Sequence, residues 1–449
     1  MDLNSGDTAW VLASTALVLL MTPGLAFFYG GMTQAKSTLN MMMMSFITIC
    51  IVSVLWVIYG FSLAFTDSGS GFIGNISKSG LGSAVNELTN NGGPYGIPLL
   101  AFAGFQLMFA VITPALISGA IADRTKFLTW GIFVAIWVTI VYFPVAHWVF
   151  YFGNKAADGT ITGAGWLAAR GVEDFAGGTA VHINAGAAGL ALAIVLGRRI
   201  GFKKNPTRPH NLPLVLMGAG LLWFGWFGFN AGSALGANAT AALALMNTQV
   251  ATAAALGGWL LVEKIRDGHP TSLGAASGAV AGLVAITPAC AFIAPWAAVV
   301  LGVLAGVVCS LAVGLKYKLN YDDSLDVVGV HLVGGIVGCL FIGFFGSAAV
   351  NSVGINGLFY GGGWKLLGLQ ALGAGSVLAY SLIVTLILGF ALEKTLGFRV
   401  GRDTELEGID LVEHAESAYE FEGLSGGGLA TGSPLKTKIA LKADEEVSA

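Results

Sequence analysis

Long apolar runs recur along the chain from near its N-terminus to about residue 393. A helix needs about 20 such residues to cross the ~30 Å hydrocarbon core of a membrane. Only 10% of the residues are charged, against about 25% in an ordinary soluble protein. The sequence therefore predicts an all-α, polytopic membrane protein with eleven transmembrane helices. We place them at residues 9–30, 41–65, 97–121, 127–150, 178–197, 212–231, 240–262, 272–292, 295–315, 326–348 and 367–393.

Composition narrows the class further. The 65 glycines lie inside the apolar runs and follow no G-X-Y period, which predicts helices packed closely through small residues rather than collagen or disorder. A net charge of −3 without a basic stripe makes nucleic acid an improbable partner. The four cysteines show no C-x-x-C spacing, which argues against a disulfide framework, a zinc site or a redox pair; they are Cys50, Cys290, Cys309 and Cys339. No cofactor is expected.

The distribution of basic residues predicts the orientation. Residues 1–8 contain Asp2 and Asp7 but no Lys or Arg, which is unlike a cleaved signal peptide. With eleven crossings and the N-terminus outside, 18 of the 22 Lys and Arg residues fall on the cytoplasmic side. We therefore expect residues 1–393 to form the membrane domain, with an outer N-terminus. Residues 394–449 would form a cytoplasmic tail, ordered at 402–419 and flexible at 422–449.

Two histidines lie deep in predicted membrane segments, where ionisable side chains are costly and usually functional. His182 is eight residues past Asp174 in the fifth segment, and His331 is five residues past Asp326 in the tenth. Glycines share the helix face of each histidine, so the two backbones can approach closely. This correspondence predicts two inverted five-helix repeats plus an eleventh helix, with the working site between the repeats. The alternative is two unrelated buried histidines, and no third side chain suggests a metal site.

Aromatic and polar side chains form a second pattern. Trp226, Phe229 and Ser233 share one face of the sixth segment. In the third segment, Gln106, Phe109 and Thr113 have the same spacing. Ring faces together with a hydroxyl acceptor suit a small cation that also donates hydrogen bonds. Taken alone, however, such a stripe is more often helix packing or an interfacial belt.

Seven sequence blocks, in order and spread over residues 1–420, resemble the ammonium transporter family (Amt/Mep/Rh), on its prokaryotic Amt side. They are PGLAFFYGG at 23–31, GFQLMFAVITPALISGAIADR at 104–124, AHWVF at 146–150, DFAGGTAVHINAG at 174–186, WFGWFGFNAGS at 223–233, DVVGVHLVGGIVG at 326–338 and RDTELEGIDLVEHAESAY at 402–419.

This resemblance implies roles for individual residues. Phe109 and Phe229 correspond to a pair of stacked rings that gates the pore, and His182 and His331 to paired histidines in its dry middle. Phe109 and Ser233, with the aromatic residue of AHWVF, correspond to an outer ammonium-recognition site, and Trp226 to a further pore aromatic. Asp174 corresponds to an acidic residue with a mainly structural role.

The AHWVF block departs from the family pattern. Many members have tryptophan at its last position, where this chain has Phe150, and Trp148 stands two residues earlier. Both residues are therefore candidates for the recognition site, and the recognition cage would be built from a smaller ring.

The resemblance further implies a homotrimer in the plasma membrane that takes up ammonium, releases its proton near the phenylalanines and conducts ammonia. A PII-type signal protein is the expected regulatory partner, and the matching tail residues are Arg402, Glu407, Gly408 and Asp410. Alternatives are an ammonium sensor, which would need a signalling domain, and a neutral-gas channel of the Rh type. The NPA motif of water and glycerol channels is absent, and no nucleophile suggests an enzyme.

Overall fold

The structure, a computed structural model, describes residues 2–156, 158–204 and 207–419. Over these residues the chain forms a bundle of apolar helices, followed by a short helix, α12 (Arg402–Glu407). The bundle helices are α1 (Ser5–Met32), α2 (Ala35–Phe65), α3 (Leu99–Ile121), α4 (Phe127–Phe150), α5 (Gly178–Leu196), α6 (Leu212–Gly232), α7 (Ala239–Asp267), α8 (Ser272–Ile286), α9 (Pro295–Leu319), α10 (Val328–Phe345) and α11 (Lys365–Thr395). Within the described ranges, ten helices, all but α8, are long and apolar enough to cross a membrane. A multi-pass helical membrane protein is thus confirmed.

Helix α8 is shorter than its predicted span. The sequence places a transmembrane segment at 272–292, but the helix ends at Ile286 and the next residues form turns. Pro288 explains the early end, because proline has no N–H for the helix ladder and its ring clashes with the carbonyl group of the preceding turn. The carbonyl group of Pro288 instead accepts a hydrogen bond from the N–H of Phe175, 3.1 Å away, just before α5.

Short strands occur in two connections, although the sequence predicts only helices. In the α2–α3 connection, β1 (Leu88–Asn90) pairs antiparallel with β2 (Pro94–Pro98). In the α4–α5 connection, β3 (Asn154–Lys155) pairs antiparallel with β4 (Ile161–Thr162). These connections meet where the N–H of Gly92 donates to the carbonyl oxygen of Gly153. We call this end of the bundle the loop end.

The opposite end, which we call the tail end, is stabilised by buried charged side chains. The Arg199 guanidinium binds the carboxylates of Asp123, at 3.0 Å, and Asp322, at 2.9 Å. Arg124 is fully buried and donates hydrogen bonds to the Asp322 carbonyl oxygen and the Ser324 hydroxyl. Burial lowers the pKa of Arg124 to about 10, opposed by the nearby Asp322 carboxylate. Together these contacts join the α3–α4, α5–α6 and α9–α10 connections.

Helices α5 and α10 cross in close contact. A side-chain carbon at Gly186 of α5 would collide with the backbone of Leu332 in α10. A carbon at Gly338 of α10 would collide with the backbone of Ala285 in α8. Glycine lets these helices approach until their backbones touch, and this brings the two histidine-bearing segments together.

Candidate functional site

Both buried histidines lie on π-helical turns at the start of their helices. His182 belongs to the π-helical segment Gly178–Ile183 of α5, and His331 to the segment Val328–Leu332 of α10. A π-helical turn is wider than an α-helical turn and often occurs at functional sites. The two helices therefore match in local backbone geometry, and each carries a histidine on its π-helical turn.

A carboxylate holds the start of each of these helices. Both oxygens of Asp174 accept hydrogen bonds from the first turn of α5, from the N–H groups of Gly177, Gly178, Thr179 and Ala180 and from the Thr179 hydroxyl. In α10 the matching residue is Asp323, which accepts from the N–H groups of Val327 and Val328. A carboxylate in this position also interacts favourably with the helix dipole.

Asp323, and not Asp326, is therefore the counterpart of Asp174, which corrects the sequence comparison. Asp326 instead forms an ion pair with Lys316, with an N–O distance of 2.7 Å. The signal in the sequence was the spacing, since each capping aspartate precedes its histidine by eight residues. Burial raises the pKa of Asp323 to about 6, and the neighbouring Lys316 opposes this shift.

The two imidazoles are in direct contact inside the bundle. The Nδ1 atoms of His182 and His331 are 3.3 Å apart, and both side chains are at most 3% exposed. One Nδ1 must donate and the other must accept, so the two rings carry opposite tautomers. The Nε2 atom of His182 has no hydrogen-bond partner among the described residues. The part of the chain that the structure describes holds no cluster of three His, Cys, Asp or Glu side chains suited to a metal ion.

Aromatic rings extend from the histidine pair. Trp226 stacks on His182 at a centroid distance of 5.4 Å, and its indole N–H donates to the Thr287 hydroxyl. Phe229 lies 6.1 Å from the His182 ring and stacks on Phe109 at 4.1 Å with an interplanar angle of 21°. Both phenylalanines are buried. The structure thus brings together side chains from α3, α5, α6 and α10 in one continuous row.

Phe150 and Ser233 lie next to the two phenylalanines. The Phe150 ring meets Phe109 edge-on, with centroids 6.3 Å apart. The hydroxyl of Ser233 donates to the Phe229 carbonyl oxygen at 2.8 Å, which leaves the lone pairs of the hydroxyl oxygen free to accept. Ser233 is partly exposed, unlike the rings beneath it. Gln106 and Thr113 are buried, and the Thr113 hydroxyl donates to the carbonyl oxygen of Phe109 in its own helix.

Trp148, the other candidate from the AHWVF block, does not lie with this group of side chains. Its ring packs against Tyr380 at 4.8 Å and Trp166 at 5.7 Å, and its indole N–H donates to the carbonyl oxygen of Phe72. The reason is helical geometry: AHWVF lies in α4, and residues two apart on a helix point in nearly opposite directions. Because Phe150 faces Phe109, Trp148 must face away.

A cavity of about 160 Å³ opens towards the tail end. Charged side chains in its lining include Arg199, Lys316 and Asp326. A second, much smaller cavity of about 10 Å³ is lined by His331. The two share the lining residues Met32, Leu325 and Asp326. Two neighbouring cavities therefore lie between the tail end and His331.

Three carboxylates of the segment 402–419 bind backbone N–H groups at the tail end. Asp410 accepts from Leu39 and Asn40 near the start of α2, at 2.9 and 2.8 Å. Glu413 accepts from Phe127 at the start of α4, and Glu405 from Ile200 after α5. Sequence reasoning missed Glu405 and Glu413.

The remaining tail residues predicted from the sequence differ in their contacts. Gly408 has a φ of 127° and ends α12, and a side-chain carbon there would collide with Lys36. Arg402 and Glu407 are exposed, and no hydrogen bond or ion pair of their side chains occurs within the described residues. The predicted flexible stretch 422–449 lies outside the described residues.

The fold and this row of side chains define a class: a multi-pass membrane transport protein. The family model described as the Ammonium Transporter Family matches residues 9–419. The chain belongs to the ammonium transporter family, whose members are transporters and not enzymes.

Named relatives agree with this assignment. The ammonium transporter of Mycobacterium tuberculosis (strain H37Rv) is 55% identical over 458 residues, which cover 98% of this chain and 94% of the relative. The ammonium transporter of Bacillus subtilis is 44% identical and covers 93% of this chain and 99% of its own.

Among solved structures, Mep2 of Candida albicans superposes with a TM-score of 0.81 at 33% identity, covering 90% of this chain and 88% of that chain. A structure named Sensor Amt Protein has a TM-score of 0.81 at 28% identity and covers 91% of this chain and 98% of that chain.

Proposed function

We propose that this chain captures ammonium at the loop end, removes one proton and conducts ammonia past His182 and His331. The observation that carries the proposal is the buried histidine pair, with Nδ1 atoms 3.3 Å apart, in line with the stacked Phe109 and Phe229 rings. This row can bind a small polar molecule that both donates and accepts hydrogen bonds. It contains no carboxylate to neutralise a permanent cation.

Capture is assigned to Phe109, Phe150 and Ser233. The two rings offer π faces to a cation, and the partly exposed hydroxyl oxygen can accept an N–H group. Asp174 has a positioning role in this scheme, because its oxygens are occupied by the start of α5. It contributes to capture only through its charge at longer range.

Discrimination against potassium follows from the cost of desolvation. A full charge in a dry, apolar passage is strongly unfavourable, whereas neutral ammonia avoids most of that cost. Ammonium can release a proton and potassium cannot. The imidazole pair then accepts a hydrogen bond from ammonia on one side and donates on the other, and it offers a route for the released proton.

The topology that fits this function has eleven crossings in the plasma membrane, with α8 and the turns after it as the eighth. Hydrogen bonds from the Asn247 amide to the carbonyl oxygens of Cys290 and Ile293 support this, because Asn247 lies eight residues inside the membrane helix α7. The matched π-helical turns of α5 and α10 support two inverted five-helix repeats. The N-terminus would lie outside and the tail end would face the cytoplasm. A homotrimer is proposed from family likeness.

Regulation is assigned to the tail, residues 394–449, beyond the membrane domain 1–393. Asp410, Glu413 and Glu405 attach the 402–419 segment to the start of α2, the start of α4 and the α5–α6 connection. A PII-type protein bound at the tail end would compete for these contacts or close the 160 Å³ cavity. Gly408, packed on Lys36, sets the bend in the segment.

The histidine pair provides the test. We expect His182→Ala and His331→Ala proteins to fold and reach the membrane, because each ring lines the route and neither caps a helix. Each should lose most ammonium conduction or lose its exclusion of potassium. The measurement is ammonium uptake and potassium current in proteoliposomes. Wild-type uptake and wild-type exclusion of potassium in both variants would refute the mechanism.

A further inference from the structure

Glu173, the residue before Asp174, is a buried carboxyl group that the proposed route does not use. Its side chain is 6% exposed and lies just outside the membrane segment α5. One oxygen, Oε1, accepts a hydrogen bond of 2.6 Å from the N–H of Ile355. The other oxygen, Oε2, is buried and has no hydrogen-bond partner in the described residues.

The backbone at Glu173 is held in place from α11. The Gln370 side chain accepts from the N–H of Glu173 and donates to its carbonyl oxygen, at 2.8 and 2.7 Å. It also donates to the carbonyl oxygen of Cys339 in α10. Gln370 is fully buried. The Glu173 carboxyl group therefore starts from a fixed point shared by α10, α11 and the beginning of α5.

Ile355 belongs to residues 347–357, a segment of the α10–α11 connection that we call the outer loop. Its base is tied to the chain by the N–H of Ser347, which donates to Phe292, and by the N–H of Gly357, which donates to Gly346. Nearer the tip of the loop, the hydrogen bond from the Ile355 N–H to the Glu173 side chain joins the loop to the residues just before α5. Gly354 lets the loop approach because it has no side chain. A Cβ atom there would press against the Phe292 ring and lie beside the Glu173 carboxyl group.

The groups that face Glu173 carry no charge. They are the Ile355 N–H of the outer loop, the Gln370 amide of α11 and the Phe292 ring that follows α8. Asp174, the next residue in the chain, is a titratable neighbour, and both of its oxygens are occupied by the start of α5. Arg170, four residues from Asp174, lies over the Trp166 ring.

We propose that Glu173 forms a pH-responsive contact. When Glu173 is protonated, this contact holds the outer loop against the start of α5, and when Glu173 is ionised, the loop is released. The ionised form would leave a negative charge buried with one unpartnered oxygen, which is unfavourable. Water can reach that oxygen only if the loop moves away. This proposal does not depend on the route taken by ammonium.

The direction of the pH effect follows from linkage. Burial raises the pKa of Glu173 from 4.5 to about 7, opposed by the hydrogen bond from Ile355. Glu173 therefore binds its proton more tightly when the outer loop is docked than when the loop is released. Docking is strongest below pH 4.5 and weakens as the pH rises towards 7. The full change amounts to about 300-fold in the docking equilibrium.

Hydrogen exchange of residues 351–357 in the purified full-length protein tests the proposal. After correction for intrinsic exchange rates, we expect protection to fall at least tenfold between pH 5 and pH 7.5 in the wild-type protein. Glu173→Gln cannot ionise and should retain its protection across this range. Glu87→Gln, which removes a carboxylate paired with Lys78 at the same end, should behave like the wild type.

Unchanged protection in the wild-type protein, or the same loss of protection in Glu173→Gln, would overturn the proposal. If Glu173→Gln does not fold, Glu173→Met serves as the second non-titrating variant. The protection of residues 351–357 in that variant should be independent of pH, and a wild-type pH dependence there would count equally against the proposal.

Discussion

At the scale of single residues, Ser233 differs from its neighbours in being partly exposed and polar. Its hydroxyl donates inward to the Phe229 carbonyl oxygen, so its lone pairs face the space beside Phe109 and Phe150. The rings can attract any small cation, but only the hydroxyl oxygen can accept a hydrogen bond. Ser233 therefore gives the capture site a preference for a cation with N–H groups.

Ser233→Ala tests this preference. We expect uptake at low ammonium concentration to fall several-fold, because about 1 kcal/mol of hydrogen bonding is lost on capture. The maximal rate should change far less. The measurement is the concentration dependence of ammonium uptake in proteoliposomes.

Ser310→Ala is the matched control, since the Ser310 hydroxyl also donates to a carbonyl oxygen of its own helix but lies in α9. A drop in maximal rate without a change in the half-saturating concentration would argue against a capture role for Ser233.

At the scale of elements, the sequence predicts the membrane helices well and their irregular turns poorly. Apolar length identifies α5 and α10, and the depth of His182 and His331 marks them as unusual. The π-helical turns that carry both histidines could not be predicted, because they depend on packing between the two helices rather than on local propensity. The position of Trp148 away from Phe109 could not be predicted, because a motif match gives the residues of a block without the direction in which each side chain points.

The capping aspartates Asp174 and Asp323 belong to this scale. We expect Asp174→Asn and Asp323→Asn each to lower stability by about 2 kcal/mol, since each weakens charge-assisted hydrogen bonds to a helix start. Transport should fall with them, because each helix start fixes a histidine eight residues on. The checks are the thermal unfolding midpoint and the uptake of the purified proteins.

Asp158→Asn is a suitable control for both variants. The Asp158 carboxylate also accepts backbone and hydroxyl hydrogen bonds, but from Thr160 in an exposed turn rather than from a helix start. If all three variants unfolded at the same temperature, the capping role would be disproved.

At the scale of the whole molecule, the tail segment connects parts of the chain that are far apart in sequence. Asp410 lies 370 residues from Asn40, and Glu413 lies 286 residues from Phe127. Sequence matching pointed to Arg402 and Glu407, which are exposed, and passed over Glu405 and Glu413. Which carboxylate of an acidic segment meets a helix start is decided by the fold, and the charge pattern alone does not encode it.

Truncation separates the two parts of the tail. A chain ending at residue 421 should transport ammonium nearly as the full chain does. A chain ending at residue 400 should transport less or lose its response to a PII-type protein, because the helix starts at Leu39 and Phe127 lose their acceptors. The measurement is uptake in proteoliposomes with and without the signal protein.

A point variant refines the truncation test. Asp410→Asn should reproduce part of the loss, whereas Glu416→Gln, an exposed change in the same segment, should not. Equal activity and equal inhibition of both truncated chains would remove any regulatory role for residues 402–419.

The 4.1 Å stack of Phe109 on Phe229 also has a kinetic consequence for the proposed route. Two rings at that separation are in van der Waals contact, so nothing fits between them until one ring swings aside. Such movements of side chains are intermittent. Passage would then occur one molecule at a time, in discrete events that each require a ring to open. A file of ions pushing one another along, as in an open ion channel, could not form, and flux would level off once ring opening became the slowest step.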